Sequence, residues 1–200
     1  MIEYALNYYP AMARPKSEDK RNAILAAAIQ VIAEQGATAP TAKIAQRAGV
    51  AEGTLFTYFS TKDELFNQLY LEIKTEMHEA MLSTYPRDAA LKERARHIFT
   101  GYVAWGVRHP AKRKTIAQLA VSERVTAESR AEGMRMFAEF GALLDESIGA
   151  GALRDLPQQF VSSIMAALAD TTMEFVGREP AQAQRYTESG FEAFWNAITH

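Results

Sequence analysis

The 200-residue chain has no cysteine, which excludes a disulfide framework, a thiolate metal site and a thiol nucleophile. No apolar run approaches the roughly 18 residues that a membrane span requires, and the N-terminus lacks the basic-then-apolar pattern of a secretory leader. A soluble, cytoplasmic protein with no membrane partner is the expectation. Enzyme signatures are equally scarce, with no glycine-rich phosphate loop and no nucleophile elbow. His78-Glu79-Ala80-Met81-Leu82 starts like a zinc-binding HExxH but has leucine at the second histidine position, so His78 reads as part of a solvated helix face. Glu93 and His97 have the four-residue spacing of an exposed ion pair. No catalytic residue, metal or cofactor is therefore expected. Strand-like alternation, internal repeats and low-complexity segments are also missing, which leaves an all-α chain. The net charge of −2 argues against a general nucleic-acid coat protein. Its distribution is uneven: Met1–Lys62 holds seven basic against five acidic residues, and the remainder fifteen against nineteen.

What the chain does have is the stretch Thr41 to Leu65, TAKIAQRAGVAEGTLFTYFSTKDEL. Ile44, Ala45 and Ala48 share one face of a short helix, and Thr41 stands where its hydroxyl can cap the first turn. Gly49, free to take positive φ, ends that helix. A second pattern turns Leu55 and Phe59 inward with Val50 and leaves Glu52, Gly53, Phe56 and Thr57 outside, with Lys62 just beyond. So small a helix adds little to a core, yet it displays aromatic, hydroxyl and basic groups. This is the layout of a helix-turn-helix whose second helix enters the DNA major groove while neighbouring groups hold phosphates. The alternative from pattern alone is an αα-hairpin that merely packs.

Within that stretch Thr41, Ile44-Ala45, Ala48-Gly49-Val50, Gly53-Thr54-Leu55, Tyr58-Phe59, Lys62 and Leu65 resemble the N-terminal signature of the TetR/AcrR transcriptional regulators. The resemblance implies a three-helix DNA-binding domain over residues 15–62 and a helical effector-binding and dimerisation domain over 63–200. It carries a DNA-contacting role to Thr41, Lys43, Glu52, Gly53, Thr54, Phe56, Thr57, Tyr58 and Lys62. Lys62 would neutralise phosphate, while Thr57 and Glu52 would read base edges. Two positions depart from the pattern. Ala51 stands where serine or threonine usually caps the recognition helix, a loss of about 1 kcal/mol, and Phe56 replaces the usual tyrosine. Met12-Ala-Arg-Pro-Lys reads as a beginning typical of this family. Residues 1–14 are accordingly expected to form a flexible extension, with Arg14 and Lys16 as a basic arm.

The remaining chain divides into helices at proline and glycine signals, about nine in all. The first opens near Ser17, whose hydroxyl is expected to cap it, with Ile24, Leu25, Ala28, Val31 and Ile32 inward, and Gly36 ends it. Thr61 and Glu64 have capping-box spacing and open a fourth helix striped by Leu65, Leu69, Ile73, Met77 and Met81. Helices then follow near 88–109, 111–120, 124–149, 157–177 and 180–198. In the last two, Phe160, Ile164, Ala167, Leu168, Phe191, Phe194, Trp195 and Ile198 form apolar faces. The resemblance implies that these meet a second copy as a four-helix bundle. Tyr102, Trp105, Met134, Phe137, Phe140, Met165 and Met173 are large, adaptable groups suited to an apolar or aromatic effector. Asp170, an acid within an apolar run, would add preference for a cation if it faced the same cavity. The function expected is a DNA-binding regulator, a repressor released from a palindromic operator by a small, largely apolar molecule. Two other classes stay open: a helix-turn-helix protein without an effector, binding DNA constitutively or docking a protein partner, and an all-α enzyme.

Overall fold

The computed structural model describes residues 16–149, 151 and 153–200. Every regular element among them is helical. Helix α1 (Lys16–Gln35) packs with the short pair α2 (Thr41–Arg47) and α3 (Glu52–Tyr58), and α4 (Lys62–Leu82) leads away from this unit. Then follow α5 (Leu91–Arg108), α6 (Pro110–Ala120), α7 (Ala127–Arg135), α8 (Ala138–Gly149), α9 (Gln158–Arg178), a 3-10 turn (Pro180–Gln182) and α10 (Ala183–Ile198). The expected extension 1–14 and the Arg14 end of the basic arm lie outside the described residues, as does the side chain of Lys16.

The N-terminal unit closes on Ile24, Ala28 and Ile32 of α1, which meet Ile44, Leu55, Phe59 and Leu65, all essentially inaccessible to solvent. Gly36 (φ 78°) ends α1 and Gly49 (φ 70°) ends α2, so both turns use the left-handed conformation that only glycine adopts without strain. The caps differ from expectation at two helices. Ser17 lies inside α1, and Pro40 occupies the N-cap of α2 with no side-chain bond, leaving the Thr41 hydroxyl to other work. At α4 the expected cap is present: Thr61 Oγ1 accepts from the Glu64 amide at 3.0 Å. The Glu64 carboxylate reaches back one residue further than a capping box requires, accepting from the Ser60 amide at 2.8 Å.

The single helix expected over 124–149 is two. Phe137 bonds to the Met134 carbonyl three residues back, and the chain turns there before α8. Gly133 lies against Tyr70 of α4, where a β-carbon would stand 2.9 Å from the ring, so α7 is pressed onto α4. The turn then sets Phe137 against His78 (ring centroids 5.9 Å apart) and Lys74 (5.2 Å from the ring centre). Met134, Phe137 and Phe140, expected on one helix, therefore sit on α7, the turn and α8.

Around α5 the second core forms. Phe99 is flanked by Phe191 and Phe194 of α10, each at 6.0 Å, and Gly101 lets α5 approach α4 so closely that a β-carbon would meet the Ala80 carbonyl oxygen at 2.7 Å. This corrects three assignments to a subunit interface. Phe191, Phe194 and Ile198 have at most 1% of their surface exposed within one chain, because the strongest apolar face of α10 is consumed by α5 and α9. Replacing Phe194 by alanine should accordingly destabilise the isolated subunit by about 3–5 kcal/mol in chemical denaturation, by losing burial and opening a void. A change below 1 kcal/mol would move that side chain out of the core.

Candidate functional site

Two separate regions are candidates for a function beyond packing. The first is the exposed side of α3. Of its seven residues only Leu55 is buried; Glu52, Gly53, Phe56 and Thr57 are exposed, and Thr54 and Tyr58 half-buried. Ala51 occupies the N-cap without a side-chain bond, as the sequence predicts. The carboxylate of Glu52, in the first turn where the helix potential favours an anion, accepts from Thr41 Oγ1 at 2.6 Å. Thr41 and Glu52 thus bridge α2 and α3 and fix how far α3 projects. Thr57 donates to the Gly53 carbonyl at 3.2 Å on the same exposed face.

The cations around α3 keep different degrees of freedom. Arg47 is neutralised by Glu34 at 2.6 Å. Lys43 bonds to the neutral Gln35 side chain at 2.9 Å, so its charge is uncompensated there. Lys62 Nζ donates to the carbonyl of buried Ala39 at 2.6 Å and lies 5.2 Å from the centre of the Phe66 ring. Burial, and then the positive charge of Arg124, push the Lys62 amine below the ordinary lysine range, while Asp63 acts in the opposite sense. Lys62 therefore has a role the sequence did not predict: it ties the loop before α2 to the first turn of α4.

That first turn is also gripped from the C-terminal side. Arg124 pairs with Asp63 at 2.5 Å. Asn67 donates to the Arg124 carbonyl at 2.8 Å and accepts from the Thr126 amide at 2.9 Å. On α1, the Ile29 carbonyl accepts from the buried Thr115 hydroxyl of α6 at 2.8 Å. These bonds join the helix-turn-helix unit to α6 and to the loop that follows it.

The second region is a cavity of about 160 Å³ bounded by α4, α5, α9 and the α7–α8 turn. Five sequence-predicted effector residues line it: Tyr102, Met134, Phe137, Phe140 and Met165. Lys74, Met77, Met81, Ser162 and Ala166 line it too. The sequence reading missed Lys74, although Tyr70, Lys74, Met77 and Met81 share a face of α4 at helical spacing, a signal open to inspection. Burial holds the Lys74 amine below the ordinary lysine range and, with a smaller contribution from Asp170, pushes the Tyr102 hydroxyl up to about 12.

Three predicted effector residues do not join the lining. Trp105 is buried beside it, stacked on Tyr102 at 6.2 Å, and its indole N–H has no hydrogen-bond partner among the described residues. Met173 packs in the core against Gly106. Asp170 is exposed on α9, 3.8 Å from the Arg113 guanidinium, and partial burial pushes its carboxyl above the ordinary aspartate range against the opposing charge of Arg113. A wider groove of about 540 Å³ between α5, the end of α9 and α10 is lined by Arg96, Val103, Val107 and Thr187 among others. It contains none of the predicted effector residues.

Comparisons with known proteins agree with this architecture. The family model for bacterial regulatory proteins, tetR family, matches residues 24–69, from the first half of α1 into the first part of α4. The fatty acid metabolism regulator protein of Bacillus subtilis (strain 168) is 38% identical over 72 residues, 36% of this chain and 37% of that protein. The match to this relative thus spans little more than a third of its length. A tetR family transcription regulator from Shewanella sp. PV-4 superposes with a TM-score of 0.80 at 27% identity, covering 90% of this chain and 98% of that one. One from Marinobacter aquaeolei VT8 superposes at 0.81 with 21% identity, covering 94% and 99%.

The bonds around α4 generate a direct test. Lys62→Ala should cost about 1 kcal/mol of stability through the orphaned Ala39 carbonyl. It should also weaken binding to all DNA sequences alike, with a salt slope shallower by about one ion. Thermal unfolding and a salt titration of DNA binding check both arms; unchanged stability would dismiss the anchoring bond, and an unchanged slope the phosphate contact.

Proposed function

We propose a function from the premise that the chain belongs to the TetR family of bacterial regulatory proteins: it is a homodimeric, sequence-specific repressor of transcription that a small, largely apolar effector releases from a palindromic operator. The observation that carries the DNA-binding half is α3. A seven-residue helix with one buried side chain has little to do inside the protein, and its outward face offers Glu52 to accept from cytosine and Thr57 to meet a thymine methyl or a base edge. Lys43, Lys62 and the Thr41–Glu52 bridge flank that face, where phosphates lie when a recognition helix enters the groove.

Dimerisation follows from what α9 leaves uncovered. Phe160 and Phe175 are exposed large apolar side chains, Ala167 is exposed between half-buried Ile164 and Leu168, and Trp195 of α10 is only partly covered. A second copy covering this face by a two-fold would set two α3 helices one DNA turn apart, about 34–36 Å, which is why the operator should be palindromic.

The cavity supports the effector half. It opens between the same α4 that begins at the DNA-side anchors and the helices behind it, so a molecule bound there bears on the spacing of the two α3 helices. Release is then a population shift between a DNA-competent and a ligand-held arrangement. Constitutive binding is the rival reading, and it predicts DNA affinity indifferent to every small molecule that enters the cavity.

Two variants separate these roles. Ala167→Glu places a charge on an exposed position, so it should leave the subunit folded by circular dichroism yet give a monomer in light scattering and lose operator affinity. A folded dimer would move the interface elsewhere. Phe137→Ala, at the cavity wall, should blunt the ligand response at least severalfold while operator affinity in the absence of ligand stays within about threefold, measured on DNA selected from a random-sequence pool. Loss of DNA binding itself would return Phe137 to ordinary packing.

A further inference from the structure

Lys74 is a half-buried cation without an anionic partner. Its ammonium lies 5.8 Å from the centre of the Tyr70 ring and 5.2 Å from that of Phe137, and among the described residues it makes no hydrogen bond or ion pair. The acids nearest to it in sequence are engaged elsewhere: Glu72 pairs with Arg21 at 2.7 Å, and Glu76 with Lys112. Aromatic faces replace only part of the hydration an ammonium gives up on burial, so the charge is left wanting a counter-ion.

Two further polar groups open onto the same cavity. The hydroxyls of Tyr102 on α5 and Ser162 on α9 have no hydrogen-bond partner among the described residues. Both are potential donors, and with Lys74 they make the polar part of the lining donor-rich. The rest is apolar and adaptable: Met77, Met81, Met134, Phe137, Phe140 and Met165. Asp170 is not in the lining; it is exposed, paired with Arg113 at 3.8 Å, and close enough to Tyr102 to act on its hydroxyl. Of the ten lining residues Lys74 alone is charged.

We propose that the effector is a small amphipathic anion, an acid head group paired with Lys74 and an apolar tail lying against the methionine and phenylalanine wall. This rests on the reading of the cavity as the effector site and names the chemistry it selects. A head group of this kind supplies the missing counter-charge and accepts from Tyr102 and Ser162, whereas an alcohol supplies no charge and an amine places like charges together. At about 160 Å³ the cavity is smaller than the roughly 300–1,000 Å³ of most ligand sites, which favours a short tail. Lys74 lies twelve residues from Lys62 on the same helix, about 18 Å along its axis, so the ion pair acts directly on the element that carries the DNA-side anchors.

Calorimetric titration of the full chain with octanoate, octyl phosphate, 1-octanol and octylamine tests this without DNA. An acid should bind at least tenfold more tightly than the alcohol, with the amine weakest, and the ratio of octanoate to octyl phosphate tells which acid head group fits. Lys74→Met keeps the length of the side chain and removes the charge. It should weaken binding of the acid about ten- to hundredfold and leave or improve that of octanol, while Lys74→Arg should retain the preference for acid. Equal binding of alcohol and acid by the unaltered chain, or acid binding unchanged by Lys74→Met, overturns the proposal. Failure of the acid to release operator DNA despite tight, Lys74-dependent binding would leave the site intact and sink the repressor reading instead.

Discussion

The structure depends on α4 being one unbroken helix held at both ends. Its first turn is fixed by the Thr61 cap, by Lys62 on the Ala39 carbonyl, and by Asp63 and Asn67 gripping the loop after α6. About 23–28 Å away along the same rod, Met77 and Met81 form a cavity wall and Gly101 lets α5 close against Ala80. A packed helix does not bend continuously, so a change at one end is either absorbed by local repacking or transmitted as a rigid displacement. The close α4–α5 contact resists the first course. In the proposed ligand response, displacement of the Lys62 end would remain, and with it a change in the orientation of α2 and α3.

Helix α3 lacks a side-chain cap at Ala51, presents Phe56 to solvent, and is held to α2 by the single Thr41–Glu52 bond between side chains. The cations close by are few, and Arg47 is already neutralised by Glu34. In the proposed dimer, binding would draw much of its affinity from having two half-sites engaged at once. A small error in their spacing is then costly, which is the property a ligand-controlled switch exploits.

The helix-turn-helix was legible in the sequence because its signals are local. Gly49 at positive φ, Leu55 and Phe59 one turn apart, the uncapped Ala51 and the Thr61–Glu64 spacing each follow from neighbouring residues, and the structure has all four. The break at Met136–Phe137 was not legible, because no proline or glycine stands at the turn itself; beside it α7 packs on α4 through Gly133 and Tyr70, residues far apart in sequence. Burial of Phe191, Phe194 and Ile198 was hidden for a related reason. An apolar stripe has the same periodicity whether it faces the core or a second subunit, and only the position of Phe99 decides. Half of the cavity was within reach, since large adaptable side chains announce themselves. Lys74 was overlooked as one more charge on a long helix, and Asp170 was given weight that its exposed position removes.

The central claim is that the cavity and the DNA-binding face share one equilibrium through α4. Coupling between two binding events is reciprocal, so it can be read from the ligand side. Titrating octanoate into the free protein and into protein saturated with operator DNA, at one salt concentration, measures it directly. The account predicts that the DNA-bound form takes the ligand at least fivefold more weakly. Equal affinities would contradict it, and would leave the cavity and α3 as independent features of the fold.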